Sequence, residues 1–252
     1  MIDIHSHVLW GLDDGSKTYE ESLSILRAAA HSGTTDIVAT PHSNSHYTFV
    51  PKEIELKITQ LQSVQKTPLI HRGCDFHLNF ANVQSALEDP TRYTINHRNY
   101  LLVEFPDVSI PLGVDGALSQ LLNCGITPII THPERNELLM QDVDRLATWA
   151  EKGCLLQVTA LSLLGGFGAT ALRHAWKLME KRLVHAVASD THDLDRRHPR
   201  LDKARAEVSR RAGEANALRL FELNPRTVVE GRHWQDIEVM SELRRRPFFF
   251  WL

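Results

Sequence analysis

Ile126-Thr127-Pro128-Ile129-Ile130-Thr131-His132-Pro133-Glu134-Arg135 decides how this chain is read. Gly125 precedes it, at the end of a helical stretch, where glycine supplies the left-handed turn that closes a helix. An apolar run follows, of a length that suits a buried strand bounded by turn residues. The run ends in a histidine. The same unit recurs along the chain. Ile2-Asp3-Ile4 ends in His5-Ser6-His7, and Ile37-Val38-Ala39-Thr40-Pro41 ends in His42. Leu69-Ile70-His71-Arg72-Gly73 leads to Asp75, and Leu101-Leu102-Val103 ends in Glu104. Ala186-Val187-Ala188-Ser189 ends in Asp190-Thr191-His192. Strands are expected over 1–5, 36–40, 68–73, 100–105, 126–132, 155–158 and 184–189. All but the stretch 155–158 deliver His, Asp or Glu at the carboxyl end.

Helical periodicity fills the intervals. Thr18-Tyr19-Glu20-Glu21 has the pattern of a capping box, with Leu23, Leu26 and Ala30 forming one face behind it. Ile54, Ile58 and Leu61 mark a second helix, Val143, Leu146, Ala147 and Ala150 a third, and Leu172, Ala175, Trp176 and Met179 a fourth. Gly33 and Gly153, like Gly125, stand between a helix and a strand. Repeated alternation of helix and strand implies a parallel sheet, and this many units implies a closed or nearly closed barrel. The length of 252 residues suits one such barrel, and no linker, repeat or low-complexity block divides residues 1–252. In a parallel barrel the carboxyl ends of the strands share one rim, where active sites are built.

Composition narrows the classes. Hydrophobic residues make up 42% and charged residues 23%, which excludes a disordered chain. A formal net charge of -3 argues against a nucleic-acid footprint over the surface. No apolar run is long enough for a transmembrane segment. Met1-Ile2-Asp3-Ile4-His5 lacks the basic start and apolar stretch of a signal peptide, so a cytoplasmic location is expected. Cys74, Cys124 and Cys154 form no C-x-x-C pair and are read as small buried apolar residues. A thiol phosphatase would need Arg six residues after its Cys, and those positions hold Phe80, Ile130 and Ala160.

Fourteen histidines set the chemistry. His5 and His7, two apart on a strand, point to one side, as do Asp190 and His192. One H-x-H pair alone says little, since a single such residue is more often a hydrogen-bonded core group. The recurrence at six strand ends favours divalent cations, which relieve the repulsion of converging carboxylates. His31, His174 and His233 are assigned to the surface, and His71 and His185 to the opposite rim. His46, His77 and His97 are assigned to loops, and His198 follows Arg196-Arg197.

Asp3-Ile4-His5-Ser6-His7, Asp13-Asp14-Gly15, Thr40-Pro41-His42, Glu104-Phe105-Pro106, Thr131-His132-Pro133-Glu134-Arg135 and Ala188-Ser189-Asp190-Thr191-His192 together resemble the polymerase and histidinol phosphatase (PHP) superfamily. Within it the pattern is most similar to the bacterial metal-dependent protein-tyrosine phosphatase branch of capsule and exopolysaccharide synthesis, the CpsB/YwqE-like proteins. The similarity runs from Met1 to about residue 200. It implies a distorted (β/α)7 TIM-like barrel, the PHP fold, with three divalent metal ions. Manganese is the first choice and iron or zinc the alternatives, since the donors are nitrogen and oxygen without thiolate. The implied ligand sets are His5, His7, Asp75 and Asp190; Asp75, Glu104 and His132; and Asp14, His42 and His192. Asp75 stands where the family usually shows Glu.

The resemblance further implies hydrolysis of a phosphomonoester by water that close cations activate, with Arg135 binding phosphoryl oxygens and Arg197 a second candidate. Phenolate is a fair leaving group, the phenol pKa being about 10, so a proton donor is dispensable; Asp14 or His192 would be that donor. The implied partner is a phosphotyrosine-bearing protein, the tail of a bacterial tyrosine kinase, and a homo-oligomer is left open. Three enzymatic rivals stay in view: a histidinol-phosphate phosphatase with the same metals, an amidohydrolase, and a polymerase-type nuclease. The amidohydrolase is disfavoured because Glu104 stands where a modified Lys is common. The nuclease is disfavoured because no polymerase portion or basic stripe is present. A non-catalytic metal-binding scaffold would bind cations without turnover. The tail Arg244-Arg245-Arg246-Pro247-Phe248-Phe249-Phe250-Trp251-Leu252 is basic and then aromatic, and packing on the protein itself or a neighbouring copy is preferred to membrane docking.

Overall fold

The computed structural model describes residues 1–233. The strands are β1 (Ile2–Ser6), β2 (Asp36–Ala39), β3 (His42–Ser43), β4 (Leu69–Arg72), β5 (Asp75–His77), β6 (Tyr100–Glu104), β7 (Thr127–Thr131), β8 (Leu155–Thr159) and β9 (Ala186–Ala188). Between them run α1 (Tyr19–His31), α2 (Pro51–Val64), α3 (Phe80–Glu88), α4 (Val114–Asn123), α5 (Glu137–Gln141), α6 (Val143–Glu151), α7 (Ala160–Leu164) and α8 (Gly168–Glu180). α9 (Asp202–Ala212), α10 (Glu214–Leu218) and α11 (Asn224–Glu230) follow the last strand. No helix among the described residues is long and apolar enough to cross a membrane. The tail 244–252 lies outside the described residues.

All pairings are parallel. They form one sheet of order β1-β2-β4 and another of order β3-β5-β6-β7-β8-β9. The expected parallel α/β fold is present, but in place of seven strands in a closed or nearly closed barrel the ladders of the described residues form two sheets of nine shorter strands. Thr40-Pro41 separates β2 from β3, and Gly73-Cys74 separates β4 from β5. Pro41 has no N–H to give to a ladder, so one sheet stops there and the next begins. At the other seam Ser6, the last residue of β1, forms an isolated bridge with Thr191, three residues beyond β9. Asp190, two residues past β9, sits at φ 54 beside it, in the left-handed region.

Both faces of the larger sheet are covered, as parallel sheets require. Alternation sorts its side chains into two apolar clusters. Leu101, Val103, Ile130, Leu156 and Val187 pack toward the helices. Tyr100, Leu102, Ile129, Leu155, Ala186 and Ala188 pack on the enclosed side with Val228 and Val229 of α11. The enclosed apolar cluster fills the amino-terminal end of the strands, which leaves their carboxyl ends to polar groups.

The helix signals hold with small shifts. Thr18 Oγ1 accepts from Glu21 N–H at 3.1 Å, as the capping pattern implies. Glu21 returns its bond to Lys17 N–H at 2.7 Å rather than to Thr18. The buried face of α1 centres on Leu23, Ile25, Leu26 and Ala29, one residue short of Ala30. Gly33, Gly125 and Gly153 lie at φ 88, 79 and 105 as helix-closing residues. Cys74 and Cys154 are buried, but Cys124 is exposed, because it terminates α4 at the surface.

Candidate metal centre

Every strand-end residue expected to bind metal comes to one place. β1 carries His5, with His7 just beyond, β3 carries His42, β5 carries Asp75 and β6 ends in Glu104. His132 follows β7, and Asp190 and His192 follow β9. Asp14 reaches in from the loop after β1. His5 Nε2 and His7 Nε2 lie 3.2 Å apart. Asp75 Oδ2 is 3.5 Å from His5 Nε2, 4.0 Å from His7 Nε2 and 3.2 Å from His42 Nδ1. Asp190 Oδ1 is 3.4 Å and 3.5 Å from the same two Nε2 atoms of His5 and His7. His132 Nε2 stands 3.6 Å from Glu104 Oε1. Asp14 Oδ1 lies 3.3 Å from His42 Nε2 and 3.5 Å from His192 Nε2.

The proton positions explain why these nitrogens face one another. His7 Nδ1 is 2.7 Å from Asp13 Oδ2, and His5 Nδ1 is 3.0 Å from Gln157 Oε1. His192 Nδ1 is 3.1 Å from the Asp190 carbonyl. Each acceptor takes a proton on Nδ1, so Nε2 is the nitrogen aimed inward, open to a cation once any second ring proton is displaced. Buried at the focus, His42 Nδ1, both oxygens of Asp75, Asp190 Oδ1 and His192 Nε2 have no hydrogen-bond partner. Buried polar atoms without partners are rare in native proteins, and a ring of lone pairs converging on one space satisfies none of them. Divalent cations would satisfy all of them, and the donor set of imidazoles and carboxylates fits such ions. Cys74, next to Asp75, packs into the apolar cluster and stands in none of the candidate ligand groups.

Charge follows the same geometry. Burial opposes the charge on His5, but Asp190 and Asp75 outweigh it and lift its imidazole to about 9. Burial likewise works against charged His42, and Asp14 and Asp75 overcome it, to about 11. These are the protons that divalent cations would displace. Burial, with Arg135 second, pushes His132 down to about 3. Burial, with His7 second, pushes His192 down to about 4. The imidazoles of His192 and His42, 3.5 Å and 3.3 Å from Asp14 Oδ1, hold that half-exposed carboxyl far below the usual range.

The candidate ion groupings overlap the implied sets without copying them. His7, Asp14, His42 and His192 converge as one group, His5, His7 and Asp75 as another, and His42, Asp75 and Glu104 as a third. Asp75 thus stands in two groups, despite being a methylene shorter than Glu. His7 and His42 are also each shared.

The sequence reading missed several supporting groups. Asp13 is buried and accepts from His7, from His42 N–H at 3.1 Å and from Gly15 N–H at 2.9 Å. Burial opposes its charge, yet His7 holds its carboxyl at about 2. Gly15 is required here: a Cβ would fall 2.2 Å from the His7 carbonyl oxygen. Gln157 comes from β8, the strand that seemed to carry no ligand. His77 is on β5 rather than in a loop, with Nδ1 at 3.4 Å from Glu104 Oε2. His174, assigned to the surface, is half-buried, its Nδ1 3.2 Å from the Glu134 carbonyl. The rest fall outside the centre. His46 and His31 are exposed, and His233 is exposed at the edge of the described residues. His71 pairs with Asp36, His97 with Arg72 and Glu55, and His198 accepts from Arg200 N–H.

Arg135 and Arg197 both reach the centre. Arg135 Nη1 and Arg197 Nη2 each donate to Asp190 Oδ2. Arg135 begins from a short helical turn over Pro133–Arg135, entered through His132 at φ 32. Its carboxylate neighbour Glu134 turns away and is buried, accepting from Thr159 N–H at 3.0 Å and Ser162 Oγ at 2.6 Å.

Comparison with known proteins places the chain in a family. A family model described as capsular polysaccharide synthesis, CpsB/CapC, matches residues 1–230. Tyrosine-protein phosphatase CpsB of Streptococcus pneumoniae is 32% identical over 91% of this chain and 98% of its own. Tyrosine-protein phosphatase YwqE of Bacillus subtilis is 33% identical over 79% of this chain and 80% of its own. A solved structure from the pair YwqE of B. subtilis and CpsB of S. pneumoniae, described as metal-dependent tyrosine phosphatases, superposes with a TM-score of 0.86. It is 30% identical and covers 92% of this chain and 96% of the other. With a match of that extent and a fold of that likeness, the chain belongs to the CpsB/CapC family.

Proposed function

We propose that this protein is a metal-dependent phosphatase that hydrolyses phosphotyrosine on proteins. The observation that carries the reading is the set of inward, partnerless nitrogen and oxygen atoms of His42, Asp75, Asp190 and His192. The family's tyrosine phosphatases supply the substrate class. The expected partner is a bacterial tyrosine kinase of capsule or exopolysaccharide synthesis, in the cytoplasm.

The residues that would hold the ions are His5, His7, Asp75 and Asp190; Asp75, Glu104 and His132; and Asp14, His42 and His192, with manganese preferred over iron and zinc. Bound there, such cations would lower the pKa of water toward neutrality and offset phosphoryl charge. The chain's own work is positioning. Asp13 and Gln157 hold His7 and His5 with Nε2 inward. Arg135 and Arg197 offer planar guanidinium forks that match phosphoryl oxygens, and both rest on Asp190 Oδ2 until a phosphate takes its place. Asp14 and His192 are the proton-donor candidates, with Asp14 Oδ1 3.5 Å from His192 Nε2. Departure of the phenol as phenolate needs neither.

The test is turnover by purified protein supplied with manganese, on phosphotyrosine and phosphoserine peptides and on histidinol phosphate. Turnover of phosphotyrosine, abolished by a chelator, is expected. Preference for histidinol phosphate would move the protein to the small-molecule phosphatases. Bound metal without any turnover would make it a scaffold.

A further inference from the structure

Between α7 and α8 the chain reads Gly165-Gly166-Phe167-Gly168. Gly165 and Gly168 lie at φ 85 and 87, conformations an L side chain rarely adopts. A Cβ on Gly166 would come within 3.2 Å of Leu161. Gly166 N–H donates to the Leu161 carbonyl at 2.9 Å, and Gly168 N–H to the Gly165 carbonyl at 3.0 Å. Three glycines therefore fold a tight loop whose one side chain is Phe167. The Arg135 guanidinium carbon stands 4.4 Å from the centre of that ring.

Arg135 has few other restraints. Its hydrogen bond goes to Asp190 Oδ2, an oxygen shared with Arg197. Asp190 is also one of the residues proposed to hold a cation, so that oxygen is contested. A ring contact is different in kind. It attracts the guanidinium through the aromatic quadrupole and occupies no hydrogen-bond acceptor. The N–H donors that do not bind Asp190 stay free for phosphoryl oxygens. The loop is tied back to the same strand end: Glu134, the residue before Arg135, binds Thr159 N–H and Ser162 Oγ at the start of α7. A groove of about 270 Å³ opens beside the pair, lined also by Thr170 and His174.

We propose that Phe167 is a positioning residue that holds the Arg135 guanidinium for phosphate, an inference that rests on the phosphate-binding role given to Arg135 above. Phe167 touches no reacting atom and acts through Arg135.

The experiment compares Phe167→Leu, Phe167→Ala and Phe167→Tyr in the wild-type chain and in an Arg135→Ala background. Two readouts are taken: affinity for inorganic phosphate by calorimetry, and KM and kcat on an aryl phosphate with manganese. Phe167→Leu keeps bulk and removes the quadrupole, so phosphate affinity is expected to fall roughly five- to thirtyfold, with KM rising more than kcat falls. Phe167→Tyr is expected to stay within about twofold of wild type, since it keeps the ring. With Ala at 135, changing Phe167 is expected to alter phosphate affinity by less than about twofold, because the interaction is already gone. Wild-type behaviour of Phe167→Leu would overturn the proposal. So would an equal loss with and without Arg135, which marks a structural role. If phosphate affinity depends on the pair as described while no substrate turns over, the proposed function fails and this inference stands.

Discussion

His7 shows how one side chain is aimed. Its Nδ1 proton goes to Asp13, which a two-residue turn and Gly15 press against it, so its Nε2 has nowhere to point but into the centre. Removing the orienting carboxylate should therefore weaken the ligand without touching it. Asp13→Ala is expected to lower manganese affinity roughly ten- to hundredfold, measured by titration of the metal-free protein. Unchanged affinity would mean that Asp13 only ties the loop. Sequence singled out Asp14 and passed over Asp13, because two adjacent carboxylates look alike until the backbone says which one points inward. At the far end of the strands, His185 Nδ1 accepts from Leu156 N–H at 3.1 Å, and burial pushes the ring down to about 4. The unfolded chain, with an ordinary histidine near 6.5, binds the extra proton first as pH falls. The stabilising contribution is thus complete above about 6.5 and is lost as pH drops toward 4. Urea unfolding at pH 7 and pH 5 should show wild type losing roughly 2 kcal/mol more than His185→Gln. Equal losses would contradict the assignment.

Elements carry the next level of control. The loop after β1 brings in Asp13 and Asp14, and it closes only because Gly15 lacks a Cβ. Gly15→Ala is expected to leave the circular dichroism of the helices intact while lowering manganese affinity more than roughly tenfold, since the loop must back away from His7. Retained affinity would show that the close approach at Gly15 is dispensable. Seven strand positions were legible because each is an apolar run bracketed by a glycine or cap and by a polar residue. β3 and β5 were not, since segments of two and three residues have no period to read. Their appearance follows from breaks at Pro41 and at Gly73-Cys74, which split two longer strands. That shift put His77 on a strand when it had seemed a loop residue. Gln157 escaped notice for another reason: an amide on β8 is not a metal ligand, and its service to His5 needs the neighbouring strand to be in place.

At the scale of the molecule, folding draws Asp14, Asp75, Glu104 and Asp190 to one rim with His5 and His42 as their counter-charges. The fold below them is apolar, and α11 seals its enclosed side with Val228 and Val229. Such an arrangement should be stabilised by ions that bind the folded chain and not the unfolded one. At a hundredfold excess of manganese over Kd, each site is expected to add about 2.7 kcal/mol to unfolding free energy, seen as a raised melting temperature that a chelator reverses. A melting temperature indifferent to metal would count against the centre. The family resemblance reached this level from ordered motifs alone. It also implied three ligand sets for nine residues; the groups that converge in the structure overlap those sets without copying them, because they depend on distances of a few ångströms set by the broken strands.

The most direct test is a crystal of the manganese-loaded protein with anomalous diffraction recorded at the manganese edge. The account predicts separate anomalous peaks among His5, Asp75, His132 and Asp190, with the histidine Nε2 atoms turned toward them. A rim without anomalous signal, or with His5 and His7 turned away from Asp75, would contradict it.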